Sequence, residues 1–160
     1  MGHGLSALWR LTLHGARRGL RFLAKGADRA ASVTTGLTDA YAERQGGYLG
    51  LTLDPNFATN RTVYMAYSKG NDAANATAVV RGQLSDDNTS LEGVTEIFAA
   101  DTRDTSLHFG SRLQFIADGT LVVTLGDGFK YMDDAQRPEN THGSIVRINA
   151  DGSIPADNPF

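Results

Sequence analysis

His108 has the residue type and the surroundings from which chemistry is expected. It lies in the stretch Thr105–Arg112, at the beginning of a predicted strand. An imidazole titrates near neutral pH and can serve as a general base. A histidine that is only hydrogen-bonded inside a turn would fit the same pattern, so the residues alone leave both interpretations open.

Three further positions carry weaker chemical signals. Gln45 precedes Gly46-Gly47, and its amide can donate and accept hydrogen bonds where the glycines allow close approach to the backbone. Arg112, one residue into its strand, could bind an anion or simply neutralise nearby acid. Asp127 lies between two glycines and could ligate a cation, although Gly-Asp-Gly is also ordinary turn chemistry.

Seven short apolar segments, separated by turns rich in Gly, Asp and Asn, predict the elements that position these residues. Their Val, Leu, Ile, Thr and Tyr content suits pleated, partly buried strands, and no helical stripe competes with that pattern. Asp118-Gly119 lies between two of the segments and indicates a hairpin, because glycine accepts a positive φ. The sequence therefore predicts an antiparallel all-β fold. The segments are Tyr48–Leu53, Thr62–Ser68, Ala76–Leu84, Val94–Ala99, Arg112–Ile116, Thr120–Leu125 and Ser144–Asn149.

A weak internal repeat favours one all-β architecture over the others. Residues 49–70 and 111–128 share a layout of strand, Asp-containing turn, aliphatic strand and Gly, with an offset of 63 residues from Leu49 to Arg112. Four-stranded sheets repeated around an axis form a β-propeller, in which neighbouring units cover each other's faces. The repeat therefore favours a propeller, while periodicity alone leaves a sandwich or a barrel open.

The composition excludes several classes of site and partner. The chain has 160 residues, a formal net charge of −3 and no cysteine, which excludes disulfides, thiolate metal sites and a cysteine nucleophile. It contains no apolar run long enough for a transmembrane segment. It also lacks a phosphate-cradling glycine loop, paired zinc-ligand spacing and the basic, aromatic surface expected for a nucleic acid partner.

Charge is unevenly distributed along the chain. Residues 1–27 carry five Lys and Arg and no acid, whereas residues 28–160 carry a net charge of −8. We therefore predict a basic head at 1–27 and a propeller domain at 28–160. On a helix, Trp9, Leu13 and Leu20 would share one face, so the head could be a basic amphipathic segment for a membrane surface or organelle import. An edge strand with a loop, and a poorly defined start, are the other interpretations.

Several short motifs follow one another in a specific order. QGGYLG at Gln45–Gly50 precedes LDPNF at Leu53–Phe57, HFGSRL at His108–Leu113 and DGSIPADNPF at Asp151–Phe160. In this order they resemble the soluble pyrroloquinoline quinone (PQQ)-dependent sugar dehydrogenases, the glucose/sorbosone dehydrogenase family. The resemblance extends over about residues 40–160 and, more faintly, over 20–40.

The resemblance implies a partial β-propeller, about two blades of a six-bladed ring, from an enzyme that oxidises an aldose sugar at C1 to the lactone. In the family, the histidine of HFGSRL takes the proton of the C1 hydroxyl while hydride passes to the quinone, a role that carries over to His108. The glutamine of QGG lies beside sugar and cofactor, which carries over to Gln45, and Arg112 is a weaker binding candidate. The resemblance also implies PQQ and Ca²⁺ as cofactors, with most of their binding residues in later blades and no metal ligand within this chain.

Departures from the family pattern narrow these expectations. Leu107 stands where glucose dehydrogenases of the family have Asp, which favours the aldose sugar dehydrogenase branch, and Ser144 replaces a usual Lys at a strand start, where we expect it to be tolerated. The family is well over twice as long as this chain, so we expect an incomplete member without measurable turnover by itself. Family analogy implies a periplasmic or exported location and an external electron acceptor, although no signal peptide is recognisable.

Two other functions fit the predicted fold. A non-enzymatic propeller that binds a sugar or protein partner would explain the repeat, but it assigns no task to His108 and Gln45. A hydrolytic propeller of the lactonase kind would need a metal cage of Glu, Asn and Asp, and the sequence shows no such constellation.

Overall fold

The computed structural model describes residues 10–13, 20–23 and 31–159, and strands dominate them. Every strand pairs with a sequence neighbour in antiparallel orientation. No helix in these ranges is long and apolar enough to cross a membrane. The elements, in chain order, are β1 (Arg10–Leu13), β2 (Leu20–Leu23), β3 (Ala31–Val33), β4 (Tyr48–Leu53), α1 (Phe57–Asn60), β5 (Thr62–Gly70), β6 (Asn75–Leu84), β7 (Leu91–Ala99), β8 (Gly110–Phe115), β9 (Leu121–Leu125), a 3₁₀ turn (Met132–Gln136) and β10 (Ile145–Ile148).

These strands form three sheets in the described part of the chain. The first is ordered β1-β2-β3, the second β4-β5-β6-β7 and the third β10-β9-β8. β4 and β5 are the first two strands of the second sheet in chain order, and β8 and β9 are the first two of the third. This correspondence explains the repeat between residues 49–70 and 111–128. The predicted fold class is confirmed: the chain is all-β, a partial propeller with antiparallel blades that does not close into a ring. The second sheet has the four strands predicted for a blade, and the third has three.

All seven strands predicted from the sequence are present, with shifts at their ends. Tyr48–Leu53 is confirmed without change. The strand predicted from Val94 begins at Leu91, and the one predicted from Arg112 begins at Gly110. The sequence does not predict these boundaries because polar residues and glycines lie near the strand ends, and the hydrogen-bonded ladder continues through them beyond the predicted apolar segment.

The predicted Asp118-Gly119 hairpin turn and a second Asp-Gly turn after β10 have similar geometry. Gly119, after Asp118, has φ +85°, and its N–H donates to the carbonyl oxygen of Ile116 at 3.0 Å. Gly152 has φ +92°, and its N–H donates to the carbonyl oxygen of Asn149 at 2.9 Å. Glycine is suited to both positions because it adopts positive φ without a Cβ clash.

The four-stranded sheet is covered on both faces, as expected for a propeller blade. Tyr64 and Ala66 of β5 belong to an apolar cluster with Leu121 of the third sheet. Val63, which points to the opposite face, belongs to a cluster with Leu20 of the first sheet. Because side chains alternate between the faces of a strand, β5 contributes to both of these sheet-to-sheet interfaces.

Tyr64 also joins two sheets through its hydroxyl group. The hydroxyl donates to the carbonyl oxygen of Ala150, just after β10, at 3.1 Å, and lies 3.2 Å from Oδ2 of Asp54. Burial raises the pKa of Tyr64, so the hydroxyl keeps its proton at neutral pH. Its ring packs edge-on against Phe115, with centroids 5.0 Å apart.

We expect Tyr64→Phe to lower the free energy of unfolding of the full-length protein by about 1 kcal/mol. The ring packing is retained, and the carbonyl oxygen of Ala150 loses a partner between two blades. Urea denaturation followed by fluorescence measures the change. Tyr41→Phe is the matched control, because the Tyr41 hydroxyl bonds Asp72 at the surface and its loss should cost less than about 0.5 kcal/mol. Equal losses in the two variants would contradict the role of Tyr64.

β1 and β2 lie within the stretch predicted as a basic head. Leu20 is buried and Arg21 is exposed, which is the alternation of a strand with one covered face. The amphipathic-helix interpretation is therefore wrong for residues 10–13 and 20–23. The rest of the head before residue 31 lies outside the described residues.

Candidate functional site

His108 lies in the loop that leads into β8, with a backbone φ of +45°. Its N–H donates to Oε1 of Gln45 at 2.8 Å, across 63 residues of sequence. The N–H of Gln45 in turn donates to the carbonyl oxygen of Ser106 at 3.1 Å. The structure thus brings together the two residues to which the family resemblance gives roles in the site, with the Gln45 loop and the His108 loop bonded to each other.

Asp127, in the loop after β9, holds the imidazole of His108. Its Oδ1 lies 2.8 Å from Nδ1 of His108 and accepts the N–H of Phe129, also at 2.8 Å. These two hydrogen bonds hold the pKa of Asp127 below its usual value, and the bond from the Phe129 N–H has the larger effect. An ionised carboxylate only accepts hydrogen bonds, so Nδ1 is the protonated nitrogen and Nε2 carries the free lone pair.

Phe129 borders the imidazole on the open side of the site. Its ring meets His108 edge-on, with centroids 5.5 Å apart and planes at 86°. Like His108 it has a positive φ, +64°, and it is 54% exposed. His108 and Phe129 lie in two different loops, and both are non-glycine residues in the left-handed region. Such conformations cost energy and tend to occur where function requires them.

Gly126 allows the two loops to approach this closely. Its N–H donates to the carbonyl oxygen of Phe109 at 3.1 Å. A Cβ at Gly126 would lie 1.7 Å from the carbonyl oxygen of His108, far inside any van der Waals contact. Any other residue would therefore push the His108 loop away from Asp127.

A protein-family model matches almost the whole chain. The family model described as Glucose / Sorbosone dehydrogenase matches residues 10–160. The chain belongs to this family. The resemblance inferred from the motifs is thereby confirmed, and the match begins before the stretch in which those motifs occur.

Individual family members are similar over most of this chain. Aldose sugar dehydrogenase YliI of Escherichia coli is 38% identical over 128 residues, covering 79% of this chain and 34% of that protein. The apo structure of the soluble aldose sugar dehydrogenase from Escherichia coli has a TM-score of 0.79 at 32% identity, covering 95% of this chain and 46% of that one. The present chain thus spans about a third of that curated relative and just under half of the solved chain.

A second solved structure is similar in fold. It is the PQQ-bound form of the aldose sugar dehydrogenase from Streptomyces coelicolor, with a TM-score of 0.73 at 20% identity. The match covers 96% of this chain and 52% of that one. At this identity the similarity shows the shared propeller fold.

Arg112 lies apart from the cluster of His108, Gln45 and Asp127. It is exposed on β8, and its N–H donates to Oγ1 of Thr124 at 3.0 Å. Its guanidinium makes no hydrogen bond or ion pair with another described residue. The structure therefore joins Gln45 and His108 directly and leaves the Arg112 side chain facing solvent.

Gln45 and His108 present polar groups that a bound ligand can reach. Oε1 of Gln45 is occupied by the His108 N–H, while Nε2 of Gln45 makes no hydrogen bond within the described part of the chain and can donate to a carbonyl acceptor. The His108 side chain is 45% exposed, so a ligand can reach it. Among residues 31–159 and the two described head segments, no group of three or more His, Cys, Asp or Glu side chains is arranged to hold a metal ion.

Sequence reasoning missed two contacts to His108: that of the Asp127 carboxylate with Nδ1, and that of Nη1 of Arg103, which donates to the carbonyl oxygen at 3.1 Å. Asp127 was interpreted only as a turn residue or a cation ligand, because nothing local shows which turn carboxylate reaches His108. Arg103 is only 5% exposed, yet its surroundings, Asp-Thr-Arg-Asp, read as a solvated loop. The Gly-Asp-Gly triplet was the one available signal, because two flanking glycines permit the close approach that Asp127 makes.

Proposed function

We propose that the full-length protein oxidises an aldose sugar at C1 to the lactone in a PQQ-dependent reaction. The observation that carries this proposal is the 2.8 Å contact between Nδ1 of His108 and Oδ1 of Asp127, which leaves Nε2 as a base on an exposed ring. Membership in the glucose/sorbosone dehydrogenase family, and a relative named as an aldose sugar dehydrogenase, support the reaction class.

His108 acts as the general base in this proposal. Its Nε2 accepts the proton of the C1 hydroxyl group, and the imidazole becomes cationic. The carboxylate of Asp127, bonded to Nδ1, stabilises that cation and keeps the ring in the productive orientation. Bound PQQ supplies the acceptor for the hydride that leaves C1.

Gln45 binds and orients in the same proposal. Its Oε1 fixes the His108 loop through the 2.8 Å hydrogen bond, and its Nε2 donates to the sugar or the cofactor. Arg112 is the weaker candidate, with a guanidinium suited to an anionic group. Calcium prefers oxygen ligands, and we assign it and most cofactor contacts to the part of the relatives' length that this chain does not span.

The location, the electron acceptor and the domain boundary are further proposals. Family analogy supports a periplasmic or exported protein that passes electrons to an external acceptor. The step from a positive head at residues 1–27 to a negative remainder at 28–160 supports a boundary near residue 28. Limited proteolysis of the full-length protein, followed by N-terminal sequencing, tests that boundary.

Reconstitution of the full-length protein with PQQ and Ca²⁺, followed by a dye-reduction assay with a panel of aldoses, tests the reaction. We expect dye reduction that depends on PQQ and a lactone product detected by mass spectrometry. The matching alditols are the control, because they lack the C1 hemiacetal hydroxyl and should not be oxidised. Failure to bind PQQ, or sugar binding without oxidation, would instead favour the non-enzymatic binding module.

A further inference from the structure

We propose that Arg103 is the positioning residue that holds His108 and Asp127 in contact, an inference that rests on the proposed function for its consequence in catalysis. Nη1 of Arg103 donates to the carbonyl oxygen of His108 at 3.1 Å and to that of Gly126 at 3.0 Å. Gly126 immediately precedes Asp127. A single nitrogen atom therefore bonds both the loop that carries His108 and the loop that carries Asp127.

Arg103 is itself held firmly from two sides. Its backbone pairs with Asn75 at the start of β6 through two hydrogen bonds of 2.8 Å, one in each direction. Its guanidinium lies over the ring of Phe109, 4.3 Å from the centroid. Close above it, a Cβ at Gly128 would come within 2.9 Å of Cδ of Arg103. The backbone of Arg103 is thus bonded to the four-stranded sheet, and its side chain contacts the loops before β8 and after β9 of the third sheet.

The backbone conformation of His108 has to be held by contacts with neighbouring residues. A φ of +45° is disfavoured for a residue with a Cβ, and it persists only where neighbouring contacts hold it. Its N–H bonds Gln45, and its carbonyl oxygen accepts from Arg103 and, at 3.4 Å, from the Gly128 N–H. Arg103 is the side chain that bonds both this carbonyl oxygen and that of Gly126, so losing it should loosen the contact between imidazole and carboxylate.

Burying the guanidinium of Arg103 costs free energy that an apolar side chain used only for packing would not. It is nine-tenths buried or more, and its Nε and Nη2 have no partner within the described residues. Burial lowers the pKa of Arg103, although Asp127 acts against that shift, and an arginine remains protonated regardless. Methionine would fill the same space without unpaired donors, and it would leave the carbonyl oxygens of His108 and Gly126 without this donor.

Arg103→Met in the full-length protein separates positioning from packing. With ¹⁵N-histidine labelling, the proton on Nδ1 of His108 should give a low-field NMR signal, assigned by its loss in a His108 variant. We expect Arg103→Met to abolish or broaden this signal. We also expect kcat for aldoses to fall on the order of ten- to a hundred-fold with little change in KM, because small misplacements of a catalytic group carry penalties of this size.

Arg61→Met is the matched control. Arg61 also clamps backbone carbonyls, those of Leu84 at 2.8 Å and Ser85 at 2.6 Å, but in a turn between β6 and β7. We expect Arg61→Met to leave the His108 signal and kcat unchanged, even where it lowers the melting temperature. Arg103→Lys retains the buried charge with a single nitrogen and gives a second test should the Met variant not fold: the signal should be weaker than in the wild type.

The two proposals fail in distinguishable ways. An unchanged His108 signal in folded Arg103→Met or Arg103→Lys protein would overturn the positioning role, whatever the activity. Loss of the signal with kcat retained would support the positioning role and show instead that the His108–Asp127 contact is not used in catalysis. Loss of signal and kcat in the Arg61 control as well would make Arg103 an ordinary stabilising residue.

Discussion

The His108→Asn variant of the full-length protein is expected to lose about 10²- to 10⁴-fold in kcat for aldose oxidation, the usual cost of removing a general base. Asparagine is preferred over alanine for this test. It tolerates the left-handed backbone better than most residues, and His108 has φ +45°. The loop can therefore keep its shape while the base disappears. Initial rates at saturating aldose and dye give kcat directly.

A second histidine offers the control for this variant. His142 is buried and stacks on Tyr131 with ring centroids 4.7 Å apart. His142→Asn should lower the melting temperature and leave kcat within a few-fold of the wild type. Should His108→Asn retain wild-type kcat with PQQ bound, another group is the base, and the role assigned to His108 fails.

Much of the fold was predictable because strands and tight turns are local features. β4 is a period-two apolar run closed by Asp54-Pro55, and proline fixes its own φ wherever it stands. Asp118-Gly119 determines its turn by chain geometry alone, since glycine accepts positive φ. The repeat between the openings of the second and third sheets required only a comparison of the sequence with itself. These features depend on neighbours within about ten residues.

The contacts that make the site were not predictable in the same way. The bond from His108 to Asp127 depends on how far two loops extend beyond β8 and β9 and on the absence of a Cβ at Gly126. Arg103 is placed by backbone pairing with Asn75 at the start of β6, and its guanidinium packs on Phe109 before β8. Neither relation leaves a spacing or a periodicity in the sequence. The family motifs located His108 and Gln45 but not the groups that hold them.

The head shows how tertiary pairing overrides an apparent helical pattern. Leu13 and Leu20 share a face on a helical wheel, yet the segments around them pair with each other as β1 and β2. Leu20 is buried against the four-stranded sheet, a partner that no local pattern contains. A strand of four residues offers too few positions for period-two alternation to outweigh a 3.6-residue pattern.

Asp127→Asn is expected to lower kcat by at least about ten-fold, and up to about 10⁴-fold, as when a carboxylate that orients a catalytic histidine is lost. Asparagine has the same shape but can turn its NH₂ group toward Nδ1. That contact would place the imidazole proton on Nε2, where the lone pair is needed. The loss of the low-field Nδ1 proton signal, together with reduced kcat and near-normal KM, would identify this cause.

Asp104→Asn is the matched control, because Asp104 is an exposed carboxylate bonded to Nζ of Lys130 at 2.6 Å and to the hydroxyl of Tyr131 at 2.8 Å without touching His108. It should leave kcat and the His108 signal unchanged.

The pH dependence of the Asp127 variant gives an independent check. Because the pKa of Asp127 is lowered in the folded protein, the stability it contributes is complete above pH of about 4 and is lost as the pH falls through the lowered value. Asp127 is therefore ionised well above that value, and we expect the kcat deficit of Asp127→Asn to be present at pH 8, whereas wild-type kcat in Asp127→Asn at pH 8 would contradict the role of the carboxylate.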